Sequence, residues 1–399
     1  MSNTNSVIDM VTRESLRVAH EQLSFIGTIN RQYDDSFSKT GAKIGSTLRV
    51  RQPNQYTRTT GSRVMDVQDQ DEATTTITVA TQDHVDMRFN SQELSQDIDY
   101  LSERYITPAM KVLVSGIESD VLQGLTKQVS NHVGTAGTVP GASGDISMIG
   151  QARARLNQFL APKEGRSFQI DSDTMASIVN GNKAIFHDRE QVSKAFLNGY
   201  YSHALGCDWY ENERILSLTN GSDHTTVTVN DAGIATGDAS ITLAGGNFTA
   251  GSVCTFGTGG TPVYAVHPET KASYSFLRQF AASAAGTTTF TPVTTYRSSG
   301  AKQNVSTLPV NGDAVTFFGN ASTAYKNALM YHKDFATFVT ADLPIMDDAA
   351  KCVVRQQDGL SLRVWQASDI RNDELLLRID ILYGYKILTP DWACRVNCT

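Results

Sequence analysis

The sequence is short of cysteine, of basic excess and of long apolar runs. Five cysteines are scattered through 399 residues, at Cys207, Cys254, Cys352, Cys394 and Cys398. An odd, dispersed set does not build a disulfide framework and fits reduced thiols in a cytosolic setting. Cys394 and Cys398 are close, but no nearby histidine completes a metal site, so they read as packing residues. No apolar stretch approaches the ~18–20 residues that span a bilayer, so no membrane partner is expected. The opening MSNTNSVIDMVTRESLRVAH lacks the apolar segment of a secretory signal, which argues against export by that route. With 34 basic against 41 acidic residues the formal charge is −7, the wrong sign for a tight, sequence-independent nucleic-acid binder.

Compact catalytic signatures are absent too. There is no phosphate-gripping GxxxxGK[ST] loop, no GxSxG elbow, no HExxH helix and no CxxC pair. Gly257-Thr258-Gly259-Gly260 lacks the Lys-Ser/Thr of a nucleotide loop and reads as a turn. His187-Asp188-Arg189-Glu190 is the densest ionisable cluster, but no second element supplies a nucleophile, so it reads as a solvated face. Asp97 and Asp99 precede a helix, and Asp347-Asp348 follow Pro344; they suit helix-start and loop positions better than metal ligation. A hydrolase using His187 or His332 would need an activity to support it. The expectation is therefore a protein that is not an enzyme, with no catalytic, cofactor-binding or metal residues.

What the chain has is organisation. Residues 217–320 contain nine charged residues in 104 and are rich in Thr, Ser and Gly. Short runs at 225–229, 239–244, 252–256, 262–266, 273–277 and 314–318 read as strands separated by turns, a pattern that predicts a compact β domain inserted into a different host. In the host, residues 6–26 carry Val7, Met10, Val11 and Val18 near helix spacing. Residues 47–58 and 74–89 alternate, and the piece between them, TTGSRVMDVQDQDE, is polar. Together they predict two long strands of an extended hairpin with a polar tip, which its own subunit can bury only slightly. Thr107-Pro108 then opens a helix whose Met110, Leu113, Ile117, Val121 and Leu125 stripe one face for about twenty residues. Further elements are a helix over 146–161, a strand at 167–171, a third helix capped by Ser172 or Asp173, and strands at 360–368 and 374–388 around Arg371-Asn372-Asp373. Tyr200, Tyr201, Trp209 and Tyr210 suit a core cluster. The host is read as α+β.

Specific phrases carry a resemblance: VTRESLRVAHEQLSFIGTINRQYDDSF (11–37), KTGAKIGSTLRVRQP (39–53), DMRFNSQELSQDIDYLSERYITPAMKVLVSGIESDVL (86–122), NGYYSHALGCDWYENERI (198–215) and MYHKDFATFVTADLPI (330–345). In this order they resemble the major capsid (coat) proteins of tailed double-stranded DNA bacteriophages, which share the Hong Kong 97-type fold. The similarity is greatest to the podovirus coats that carry a β-barrel insertion domain. The resemblance implies an N-terminal arm over 1–46, an extended loop over 47–89 and a peripheral domain with its spine helix over 90–144. It further implies a first part of the apical domain over 145–216, an inserted β domain over 217–320, and the apical and peripheral remainder over 321–399.

The implied function is self-assembly into an icosahedral shell around a phage genome, in the virion, after assembly in the bacterial host cytoplasm. Implied partners are the protein itself in hexamers and pentamers, a scaffolding protein, a portal protein, and packaged double-stranded DNA held by confinement rather than by specific binding. No further segment precedes the arm, so scaffold function is expected on a separate chain. Candidate intersubunit contacts are Arg63, Asp66, Asp69, Asp71 and Glu72 at the hairpin tip, with Arg13 and Arg17 on the arm. The rival reading is a β-rich surface or tail adhesion module with the Thr/Gly-rich stretch as its recognition domain.

Overall fold

A computed structural model of the chain describes residues 11–19, 23–31, 47–61, 65, 67–68, 74–90, 105–141, 146–181, 203–222, 226–258, 260–345, 351–357 and 359–398. Two compact units divide it. One comprises Met1–Val50, Thr74–Val121 and Ala336–Lys386; the other Arg51–Ala73, Leu122–Phe335 and Ile387–Thr399.

Residues 11–19 are helical (α1), with Thr12, Ser15, Leu16, Val18 and Ala19 buried. β1 (Thr47–Arg51) pairs with β2 (Thr74–Thr78). The two long hairpin strands expected from the alternation are thus shorter than predicted. Pro53 has no amide hydrogen to donate, and residues 52–61 continue outside any ladder. The alternation over 74–89 also spans two strands rather than one, because β3 (Thr81–Asn90) begins after a break at Val79-Ala80 and joins a different sheet. Helix α2 (Thr107–Lys127) starts at the Thr-Pro pair and buries Met110, Leu113, Ile117, Val121 and Leu125, the predicted stripe.

β4 (His132–Val133), α3 (Ser147–Gln158), β5 (Arg166–Ile170) and α4 (Ser172–Gly181) follow. Next come β6 (His203–Ala204), β7 (Cys207–Glu211) and β8 (Leu216–Thr219). Trp209 of β7 is buried edge-on to Phe168, ring centroids 5.0 Å apart, as a core residue; Tyr200 and Tyr201 lie outside the described residues.

The low-charge stretch contributes β9 (Thr228–Val229), β10 (Ile241–Ala244), β11 (Val253–Phe256) and β12 (Tyr264–Val266). It continues with β13 (Ser273–Leu277), β14 (Gln279–Ala281), β15 (Thr289–Phe290) and β16 (Val315–Phe317). These make three small antiparallel sheets, ordered β15-β10-β9, β14-β11-β16 and β12-β13. They enclose one cluster that includes Phe248, Phe256, Phe280, Phe290, Tyr296 and Phe317, all drawn from within the stretch. Aromatic packing of this kind contributes beyond area burial, and it explains how a segment with so few long aliphatic runs keeps a core.

β17 (Ala324–His332) then lies at the centre of a sheet ordered β4-β22-β17-β5-β7-β6, with β8 also on β17. The other sheet holds β18 (Ala336–Ala341), β19 (Lys351–Gln357), β20 (Leu360–Asp369) and β21 (Glu374–Ile387), in the order β18-β21-β20-β19. β3 pairs antiparallel with β21 from Asn90 opposite Glu374 to Thr81 opposite Tyr383. Gly384 crosses beneath the β2–β3 break, where a Cβ would sit 2.2 Å from the Thr78 carbonyl oxygen, so only glycine fits. The β20–β21 turn is organised by Asp369, which accepts from the Arg371 amide at 2.9 Å and the Asn372 side chain at 2.8 Å. β22 (Ala393–Asn397) completes the described chain.

Candidate functional site

The hairpin leaves several apolar groups uncovered by the folded chain. Beyond the β1–β2 ladder, its two legs stay together through Gln68, whose amide accepts from Thr57 N–H at 2.9 Å and donates to the Thr57 carbonyl at 2.5 Å. A side chain here makes the rung that the backbone does not. Tyr56, Met65 and Val67 are 57%, 86% and 76% exposed, apolar surface that gains nothing from its own chain. Arg63, Asp66, Asp69, Asp71 and Glu72 lie outside the described residues.

On α1, Arg13 and Arg17 stand one turn apart on the exposed face. Arg17 Nε donates to Glu14 at 3.0 Å, and this bond is the main reason the Glu14 carboxyl lies below its ordinary value. Arg17 therefore reaches any neighbour already committed in part to its own helix. The segment after α1 is held at Ser24 and Phe25 by Glu118, a fully buried carboxylate on α2. It accepts from the amides of Ser24 (3.2 Å) and Phe25 (2.6 Å) and from the Ser24 hydroxyl (2.6 Å). Nothing in the sequence marks Glu118, since one acid on an amphipathic helix carries no local signal of burial.

Among the described residues no three His, Cys, Asp or Glu side chains gather as a metal site, and no helix is long and apolar enough to cross a membrane. His187 to Glu190, Asp97, Asp99, Asp347 and Asp348 lie outside the described residues. His332 is buried edge-on to Trp392, its Nδ1 accepting from the Asp334 amide at 3.2 Å. A cavity of about 10 Å³, lined by His132, Asn220, Phe318, Tyr325, Asn327 and Arg395 among others, holds no more than a water-sized group.

His132 in that wall bonds Asn327 at 3.0 Å and lies against the Phe318 ring, centroids 3.7 Å apart. Burial first, and the Arg395 charge second, push its pKa down to about 3, against a smaller opposing effect of the Asn327 bond. The unfolded chain thus takes up a proton near pH 6.5 that the folded chain refuses. Stability from this group is complete above pH 6.5 and is lost as pH falls toward 3, at ~1.4 kcal/mol per pH unit. Urea midpoints measured from pH 7.5 to 4.5 should fall with acid, and His132→Gln should flatten part of that slope. An unchanged slope in H132Q would remove His132 from the account.

A family model described as "P22 coat protein - gene protein 5" matches residues 71–395, and the chain belongs to this family. It is a phage major capsid protein, the subunit that forms the icosahedral shell, and its place is the virion. Among solved structures, a chain of Mycobacterium phage Che8 is similar at a TM-score of 0.52 and 10% identity, over 94% of this chain and 90% of that one. That likeness shows a shared α+β capsid fold. The capsid of cyanophage P-SCSP1u (TM-score 0.48, 10% identity, 89% and 84% covered) and the mature capsid of bacteriophage PhiM1 (0.45, 10%, 89% and 82%) also match. No curated protein sequence matches the chain.

Proposed function

We propose that the subunit follows the Hong Kong 97-type plan, with residues 1–46 as arm, 47–89 as the loop laid on a neighbour, and 217–320 as an inserted β domain. The observation that supports this most is the hairpin, which extends past its ladder with Tyr56, Met65 and Val67 uncovered. Docked in about 1,200–2,000 Å² of shared surface, such contacts are individually modest and become stable by multiplicity in hexamers and pentamers. Arg63, Asp66, Asp69, Asp71 and Glu72, with Arg13 and Arg17, set register there, because like charges penalise wrong docking. A scaffolding protein and a portal complete the assembly in the host cytoplasm. The −7 charge suits a wall that confines DNA without gripping it. The role is structural and not enzymatic.

Electron microscopy of the purified protein, alone and with its scaffold, tests the reading. Closed shells are expected. Monomers that bind a glycan and never assemble would favour the adhesion module instead.

A further inference from the structure

Two of the largest fully buried side chains in the molecule are arginines, Arg278 and Arg395, each 1% exposed. They cross one seam in opposite directions. Arg278, between β13 and β14, leaves the low-charge stretch to bond Asp391 at 2.5 Å, and its guanidinium lies 4.7 Å from the Phe159 ring centroid. Arg395, on β22, enters the stretch and donates to the Gly251 carbonyl at 2.7 Å. Its other amino group donates to the Lys127 carbonyl at 2.8 Å, at the C-terminus of α2, where the helix dipole favours a cation. Gly251 has φ +93°, and a Cβ there would stand 3.0 Å from Lys127 Cγ, so the approach is close.

Smaller contacts line the same seam. Gln279 accepts from the His132 amide and donates to the His132 carbonyl, both at 2.8 Å. Tyr274 donates to the Gln158 carbonyl at 2.8 Å, and Arg155 lies over Phe276 at 3.4 Å. Every partner falls within one compact unit.

We propose that this reciprocal exchange of Arg278 and Arg395 is a latch that makes residues 226–318 and the β17–β22 sheet one cooperative body. A buried cation is tolerated only while its partners hold it. Separating the stretch from the sheet breaks the Arg278–Asp391 and Arg395–Gly251 bonds together, so the two parts open as one. The stretch is then a rigid lever on the end of α2 and not a tethered ornament.

Native-state hydrogen exchange on the full chain, in rising denaturant, tests this without any substitution. Amides of Leu243 and Val263 in the stretch, and of Arg395 and Cys398 in the sheet region, should merge into one opening event. Opening of the stretch at distinctly lower denaturant would overturn the latch. In Arg278→Met and Arg395→Met, protection at Arg278, Gly251 and Arg395 should fall about tenfold or more, while Leu243 retains a separate, later opening. If both variants fold and keep wild-type protection at the seam, the arginines do not couple the two parts.

Discussion

Replacing residues 59–72 with a two-residue Asn-Gly turn is expected to abolish closed shells while leaving the thermal midpoint of the monomer nearly unchanged. The β1–β2 ladder ends at Arg51 and Thr74, so the cut falls beyond it. The segment removed includes Met65 and Val67, 86% and 76% exposed, whose loss takes almost no buried apolar area from the subunit. It also removes the Gln68 rung on Thr57, worth about 1 kcal/mol at most in so open a site. Residues 52–58, the Asn-Gly pair and Ala73 remain between Arg51 and Thr74, a loop long enough to join the two strands without strain. Calorimetry gives the midpoint; sedimentation and electron microscopy give the particles. Free subunits or open sheets are the expected products. Normal shells from the shortened chain would show that the hairpin is not an intersubunit element, and a monomer that no longer folds would place the tip in the core.

Asp380→Ala should destabilise the subunit by about 3–5 kcal/mol, the cost of leaving a buried cation alone. Asp380 is fully buried, and Arg363 on the neighbouring strand is 5% exposed. Arg363 Nε meets one carboxylate oxygen at 3.0 Å and Nη2 the other at 2.5 Å, a two-pronged pair. Gln82 of β3 donates to the same carboxylate at 2.9 Å and Arg378 at 3.3 Å, so one side chain ties β3, β20 and β21 together. Removing it leaves Arg363 with the Pro344 carbonyl at 3.0 Å. Urea unfolding of the single variant and of Arg363→Met/Asp380→Leu gives the comparison. The double variant should recover most of the loss, because an apolar pair no longer strands a charge. A loss below about 1 kcal/mol for D380A would mean the pair is solvated and structurally minor.

The sequence was readable wherever a local rule acts alone. Thr107-Pro108 marked the start of α2, and its apolar stripe is the buried one. The alternation from 360 to 388 marked β20 and β21 and their turn. The sparse charge of 217–320 marked a region that packs on its own aromatics. Strand partners were another matter. Ile77 and Val79 keep the same alternating phase as Val85, Met87 and Phe89, so nothing local reports that the chain changes sheets between them. β19 and β22 carry no local signal, because short strands in mixed company leave no period to count. Arg278 sits in SYSFLRQF, which reads as an ordinary apolar strand. Its carboxylate partner is 113 residues away, and the helix carbonyl that Arg395 seeks is 268 away. Pairings at that distance are set by tertiary closure, not by neighbours.

A molecule made to polymerise must also avoid the wrong polymer. Open sheet edges invite strand after strand and grow fibres without limit. Among the described residues the seven-stranded sheet ends in β4 and β6, two residues each, with the four-residue β8 beside β17, all short templates for a further strand. Among the described residues the other sheet ends in β19, which carries Lys351 and Arg355, and in β18, whose edge is met by Asn30 at Thr337, while β3 presents Asp83, His84, Asp86 and Arg88 along its length. Charge and brevity at these margins steer association away from the backbone and toward side-chain surfaces of fixed geometry. Growth by fixed geometry can curve and close. Growth along an edge cannot, and that separates a container from a fibril.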